Sequence, residues 1–285
     1  MRIFSFISLT VIGSLIVSSM AFASYGPNSM FNRKTKSGQN LYQVILQQGV
    51  AGESVNLLFR MFDYNYGRIP NTKTAAIVDY SLDSTEKRLY FLHLDTGVVE
   101  RFYVSHGINS GVLETRSFSN LMDSWKSSLG FYYAKGSYNS AKNGPSLKLE
   151  GIDNSNNNAK DRLIVLHGAK YVSDDFIQRN GRLGWSQGCF AVALDVLPTL
   201  LNSLQSGSLL LSYHRDLWRD ARQYPSEQDL TGSEIVPPGV NATITPEEQV
   251  DPTTPADEAR ELELFHFNSV GNAVNEEVKL LSNLF

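Results

Sequence analysis

The sequence predicts a mainly β fold with a few helices, and three observations predict it. Six short β-type runs fall at 75–80, 88–94, 98–106, 146–149, 162–166 and 208–213. Turn-forming clusters of Gly, Asn, Asp and Ser separate them, at 83–84, 95–97, 107–111 and 153–158. Within that block a single stretch has helical spacing: Leu197, Leu200, Leu201 and Leu204 form an apolar stripe, with Asp195 as its expected cap and Gly207 as its stop.

Taken in order, residues 1–23 read as a secretory signal. Met1-Arg2 gives a positive start, 3–17 carry no charge, and Ala21-Phe22-Ala23 supplies the small residues of a cleavage site before Ser24. The apolar run is short for a membrane span, and no later segment approaches that length, so no stable membrane insertion is expected. The expected location is the periplasm or cell envelope. Residues 24–73 form a helical extension: a polar start, then apolar residues at helical spacing over 41–48 and 54–64, ended by Pro70-Asn71. Residues 74–223 hold the β block. Residues 224–285 read as an acidic flexible linker, rich in Pro, Glu, Asp and Thr, followed by a helical tail that docks on the body or on a partner.

Charge divides along the same line. The chain of 285 residues has a net charge of -4, but 224–285 contain 12 acidic and 2 basic residues. The remainder is therefore mildly positive. It has no Lys/Arg block, which argues against nucleic acid as a partner and suits an anionic surface such as a cell-wall polymer. No Cys/His/Asp cluster has metal-ligand spacing, and neither metal nor cofactor is expected.

Cys189 is the only cysteine. In an exported chain a single cysteine has no internal disulfide partner. It is either a small buried hydrophobe or a nucleophile. Its surroundings favour the second. His167 ends the apolar run at 163–166, where it can face a cleft, and Gly168 allows a sharp turn. After a polar stretch over 170–185 comes Ser186-Gln187-Gly188-Cys189. The expected helix at Asp195 would place the thiol near a helix start, which favours a thiolate. His167 would act as its base, and the N–H groups of Gly188 and Cys189 as oxyanion donors. Ser186 would orient His167 or the loop, or simply shape a turn. Tyr171 and Arg182 either contact substrate or sit on a solvated loop. His106 ends its strand with a hydrogen bond or lines the cleft.

This pattern resembles the L,D-transpeptidase catalytic domain of bacterial cell-wall enzymes, with its histidine, loop and Ser/Thr-His-Gly-Cys. His167 and Ser186-x-Gly188-Cys189 match. The resemblance is closest to the divergent murein L,D-transpeptidase branch, through Ser105-His106-Gly107, Phe118-Ser119-Asn120, Ser127-Ser128-Leu129-Gly130, the run 146–151, His167-Gly168-Ala169 and Tyr171-Val172-Ser173. It covers about 74–214. It implies a β-sandwich of mixed sheets and a thiol acyl-transferase acting on peptidoglycan stem peptides, with a neighbouring stem amine, water or an envelope-protein lysine as acceptor. Catalytic roles would fall to Cys189, His167, Ser186 and Gly188, and substrate contacts to Tyr171, Arg182 and Gln187. Three departures stand out. Gln187 occupies a position where most of the family has histidine, Ala191 stands where a polar residue is frequent, and 18 residues separate His167 from Ser186, a slightly long loop. Gln187 also keeps open a non-catalytic wall-binding or envelope scaffold. A sortase-like transpeptidase shares the His-before-Cys order but not the Ser-x-Gly-Cys run.

Overall fold

A computed structural model describes residues 26–204 and 207–216. The signal segment at 1–23 and the acidic tail at 224–285 lie outside the described residues. Among the described residues the chain is mainly β, in one mixed eight-stranded sheet of order β3-β2-β1-β8-β4-β5-β6-β7. The strands are β1 Thr74–Asp79, β2 Leu89–His93, β3 Val99–Phe102, β4 Gly130–Ser140, β5 Gly144–Gly151, β6 Val165–Gly168, β7 Phe190–Val192 and β8 Leu209–Tyr213. Only β1·β8 and β6·β7 pair in parallel.

Alternation along β1 shows why the sheet has two cores. Ala75 and Ile77 face one, with α1 Leu41–Gln47 and α2 Gly52–Tyr64 as its lid; Ala76 and Val78 face the other, with α4 Leu197–Leu204. The expected helical spacing in 54–64 holds: Val55, Leu58, Phe59 and Phe62 are buried on α2. The Tyr213 hydroxyl donates to Glu53 Oε2 at 2.6 Å and ties α2 to β8.

The sheet coils until its two edges meet. Beyond β3 the chain forms an antiparallel bridge, Val104↔Val192, with β7 at the far edge. The second core is enclosed by this closure, with Phe190 of β7 edge-to-face on Tyr132 of β4 (centroids 5.2 Å apart). Closure also removes exposed ladder edges near the seam.

Several elements depart from the sequence reading. The 98–106 run stays in the ladder only to Phe102. The 162–166 run begins its strand at Val165, because Leu163 sits at φ 52°, a left-handed conformation that a strand cannot contain. β4, the longest strand, has no counterpart among the expected runs. Residues 131–134 are buried on both faces, so period-two alternation is absent there. The 170–185 stretch contains α3 Asp174–Asn180, with Ser173 capping the Phe176 N–H, acids in its first turn and Gly181 at φ 68° closing it. None of its residues is buried, so it lacks the apolar stripe that marks a helix. Finally, α4 starts at Leu197, entered through bonds from the Val196 and Leu197 N–H groups to the Ala193 carbonyl, so Asp195 lies in the preceding turn rather than at the cap. Among the described residues no helix is long and apolar enough to cross a membrane.

One buried polar cluster has a measurable consequence. Arg88 is fully buried, and its Nη2 donates to His106 Nδ1 at 2.8 Å. Burial, then the Arg88 charge, push the His106 pKa down from 6.5 to about 4. The unfolded chain therefore binds the extra proton first. The contribution of this neutral histidine is fully present above pH 6.5 and is lost as pH falls towards about 4. The expected loss is about 3 kcal/mol, read as a falling urea midpoint across that window and absent from a folded His106→Asn variant.

Candidate active site

The parallel pairing of β6 and β7 sets Leu166 opposite Phe190 and His167 opposite Ala191. Leu166 and Phe190 point into the second core. By alternation His167 points the other way. It lines a cavity of about 390 Å3 together with Tyr171, Trp185, Ser186, Gln187 and Cys189. Five of the seven expected site residues thus meet in one place. Gly188 lies beneath the cavity, buried. Arg182 does not line it; its guanidinium stacks on Trp185 at 3.3 Å from the ring centroid and donates to the Leu183 carbonyl.

His167 Nδ1 lies 3.1 Å from the Gly168 carbonyl oxygen. A carbonyl only accepts, so in the neutral ring the proton sits on Nδ1 and Nε2 keeps its lone pair. Burial, chiefly, and the charge of Lys142 lower the pKa from the ordinary imidazole value, against the Gly168 bond, which raises it. The ring is therefore a neutral base near pH 7.

The nucleophile loop is held by Ser186. Its hydroxyl accepts from the Gly188 N–H at 3.1 Å and donates to the Cys189 carbonyl at 2.7 Å. Both partners are backbone groups of the loop, as the turn-shaping alternative for Ser186 expects. The Gly188 N–H, one of the two expected oxyanion donors, has Ser186 Oγ as its acceptor. Cys189 leads into β7, not into a helix, so the expected placement of the thiol at a helix start is not met. The Sγ instead donates to the Leu163 carbonyl at 3.5 Å, which the left-handed Leu163 backbone turns towards it.

Gly188 is required by its surroundings. Its φ is 113°, and a Cβ there would lie 2.7 Å from the Lys126 carbonyl oxygen and 3.0 Å from Arg162 Nη2. Gly188→Ala is expected to cost about 1–3 kcal/mol of stability by melting temperature and to displace the thiol, with a slower alkylation rate as the second readout.

Sequence reasoning missed the charges of the wall. Lys142, Arg162 and Lys170 line the cavity, and among the described residues no Asp or Glu does. Arg162 is buried and donates to neutral oxygens, the Ser119 and Lys126 carbonyls and the Ser124 and Ser128 hydroxyls. Burial lowers its pKa, and negative charge on Cys189 raises it; by reciprocity Arg162 favours the thiolate. Lys142, from the β4–β5 turn, donates to Gln187 Oε1 at 2.7 Å. Burial raises the Tyr171 pKa, so its phenol stays protonated. Its ring packs against Gly184, where a Cβ would lie 2.5 Å from the Tyr171 Cβ. The one available signal for Arg162 was its place at the head of the run leading to His167. Lys142 carried none, since it reaches the cavity from a distant hairpin. Among the described residues no three His, Cys, Asp or Glu side chains group as a metal site.

A family model described as L,D-transpeptidase catalytic domain matches residues 47–213. No curated protein matches the chain. Among solved structures, an L,D-transpeptidase from Mycobacterium smegmatis aligns with a TM-score of 0.31 and 9% identity, over 50% of this chain and 58% of that one. L,D-transpeptidase 1 of Mycobacterium tuberculosis gives 0.29 and 9%, over 49% and 60%. The helical cell shape determining protein Pgp2 of Campylobacter jejuni gives 0.31 and 16%, over 55% and 54%. The chain spans less than two thirds of the length of each.

Proposed function

Because the chain belongs to the L,D-transpeptidase catalytic domain family, we propose that it is an exported cysteine acyl-transferase acting on peptidoglycan stem peptides. The observation that carries the reading is the His167 tautomer, which leaves Nε2 as a base in the cavity that Cys189 lines. His167 Nε2 takes the thiol proton, and the sulfur attacks the carbonyl carbon of the third stem residue. The amide C–N bond breaks, His167 returns the proton to the departing D-alanine amine, and a thioester remains. An acceptor then attacks the thioester, its proton passes to His167 and the C–S bond breaks. A stem amine gives a crosslink between third residues, water gives an L,D-carboxypeptidase, and a protein lysine gives an anchoring enzyme. The wall, which among the described residues carries Lys142, Arg162 and Lys170 and no carboxylate, supports an anionic substrate, and Lys142 with Gln187 replaces the titratable group that most of the family has beside the nucleophile. Export rests on residues 1–23 and places the reaction in the periplasm or envelope.

The test is intact mass after incubating the protein with a carbapenem, alongside D-alanine release from a stem tetrapeptide, each compared with Cys189→Ala. An adduct and D-alanine release on the native protein alone support the reading. A reactive thiol with no adduct and no release sinks it. Gln187 favours a second reading, an envelope scaffold that retains the fold; its signature would be a slowly alkylated Cys189 with no acid-shifted rate profile.

A further inference from the structure

We propose that His106 is a positioning residue for the nucleophile loop, holding Ser186 and Ala191 on either side of Cys189 through the backbone of 105–108. The proposal rests on the reading of Cys189 as nucleophile.

On one side β7 pairs with β6. On its other side the loop and β7 are held by the segment that leaves β3. The Ser186 N–H donates to the His106 carbonyl at 3.0 Å, the Ile108 N–H donates to the Ser186 carbonyl at 2.9 Å, and the Ser105 N–H donates to the Ala191 carbonyl at 2.9 Å. These bonds bracket Cys189, three residues beyond Ser186 and two before Ala191. The loop position is therefore set by the position of 105–108.

That segment is fixed by the His106 side chain. A guanidinium has no acceptor, so His106 Nδ1 accepts from Arg88 and the ring proton sits on Nε2. Nε2 in turn donates to the Gly111 carbonyl at 3.0 Å. Thr115 Oγ1 accepts from Arg88 Nη1 at 3.0 Å and lies 3.2 Å from His106 Nδ1. Arg88 also donates to the Val104 carbonyl at 3.1 Å and the Leu82 carbonyl at 2.9 Å, and its guanidinium lies 4.9 Å from the centroid of the Tyr80 ring. The imidazole is thus locked in one tautomer and one orientation between β2 and the 111–115 loop. From the other side, a Cβ on Gly107 would lie 2.3 Å from the Trp125 carbonyl oxygen, so the segment has no room to slide. A buried, bonded histidine that is not among the cavity-lining residues acts through the groups it holds.

The experiment uses the full chain and three variants. His106→Leu removes both ring contacts. His106→Asn keeps an acceptor for Arg88. Ile108→Pro leaves the histidine cluster intact and removes only the N–H that holds the Ser186 carbonyl. Gly107 at φ -67° and ψ 142° is in the extended region a following proline requires, and Ile108 is the first residue of a short 3-10 turn, where proline fits. Each is measured for melting temperature, kcat and KM for D-alanine release, and the pH–rate profile of Cys189 alkylation by iodoacetamide. His106→Leu is expected to lower kcat about 100-fold with KM little changed and to move the alkylation profile. His106→Asn should recover at least about tenfold of that loss, and Ile108→Pro should lower kcat about tenfold at an unchanged melting temperature. A folded His106→Leu with native kcat and alkylation profile overturns the proposal. If that variant does not fold, a native profile in Ile108→Pro overturns it instead. Absence of D-alanine release and of a carbapenem adduct on the native protein defeats the nucleophile reading, while the alkylation comparison still decides the positioning role.

Discussion

Cys189→Ala is expected to lower acyl transfer by at least about 10⁴-fold while leaving the melting temperature nearly unchanged. The two readouts separate because the thiol contributes chemistry rather than packing. Cys189 is only partly buried and sits at the border of the second core. Removing one sulfur there opens little void, and a change within about 1 kcal/mol is expected. The loop itself keeps its shape, because the Ser186 hydroxyl bonds to backbone groups of Gly188 and Cys189 that alanine retains. Residual release near the native rate would remove Cys189 from the reaction.

His167→Asn gives the second large effect. The asparagine amide can still donate to the Gly168 carbonyl as Nδ1 does, so the local backbone is supported. What disappears is the Nε2 lone pair, the one imidazole acceptor among the described residues of the cavity wall. A loss of about 10²–10⁴-fold in kcat/KM is expected, with no acid limb remaining in the pH–rate profile. In the native protein that limb belongs below the ordinary imidazole value, since burial and the Lys142 charge both disfavour the imidazolium. Lys142→Ala removes a positive charge from the neighbourhood and should move the limb upward. A limb that stays in place would show that Lys142 does not act on His167.

The sequence made the residues that meet at the cavity more legible than the geometry that brings them there. His167, the Ser-x-Gly-Cys run and most of the β runs could be read from residue type and spacing, because an apolar run ending in His-Gly and a lone thiol after glycine are local patterns. What escaped is non-local or lacks contrast. β4 is buried on both faces where it is most apolar, and α3 has no fully buried residue, only Ile177 resting partly buried on a small cluster, so neither shows the periodicity of a half-buried element. Lys142 comes from one hairpin and Arg162 from the turn before β6, and only the fold shows that they share a wall with Cys189. The expected helix start at the thiol failed because the three residues of β7 intervene before α4. The hydroxyl partners of Ser186, on Gly188 and Cys189, were equally beyond the sequence.

The meeting of the sheet's edges has a kinetic consequence. Val104 and Val192 are far apart in sequence, and the bridge between them closes a long loop late in assembly, after the hairpins β1–β2 and β4–β5 have local partners. Cys189 lies on that seam, so the thiol's microenvironment forms only when the seam closes. In refolding, native alkylation behaviour should therefore appear after most β-sheet circular dichroism has returned. In mild denaturant it should fade before the sheet melts, which makes Cys189 a built-in reporter of the last joint to form and the first to open.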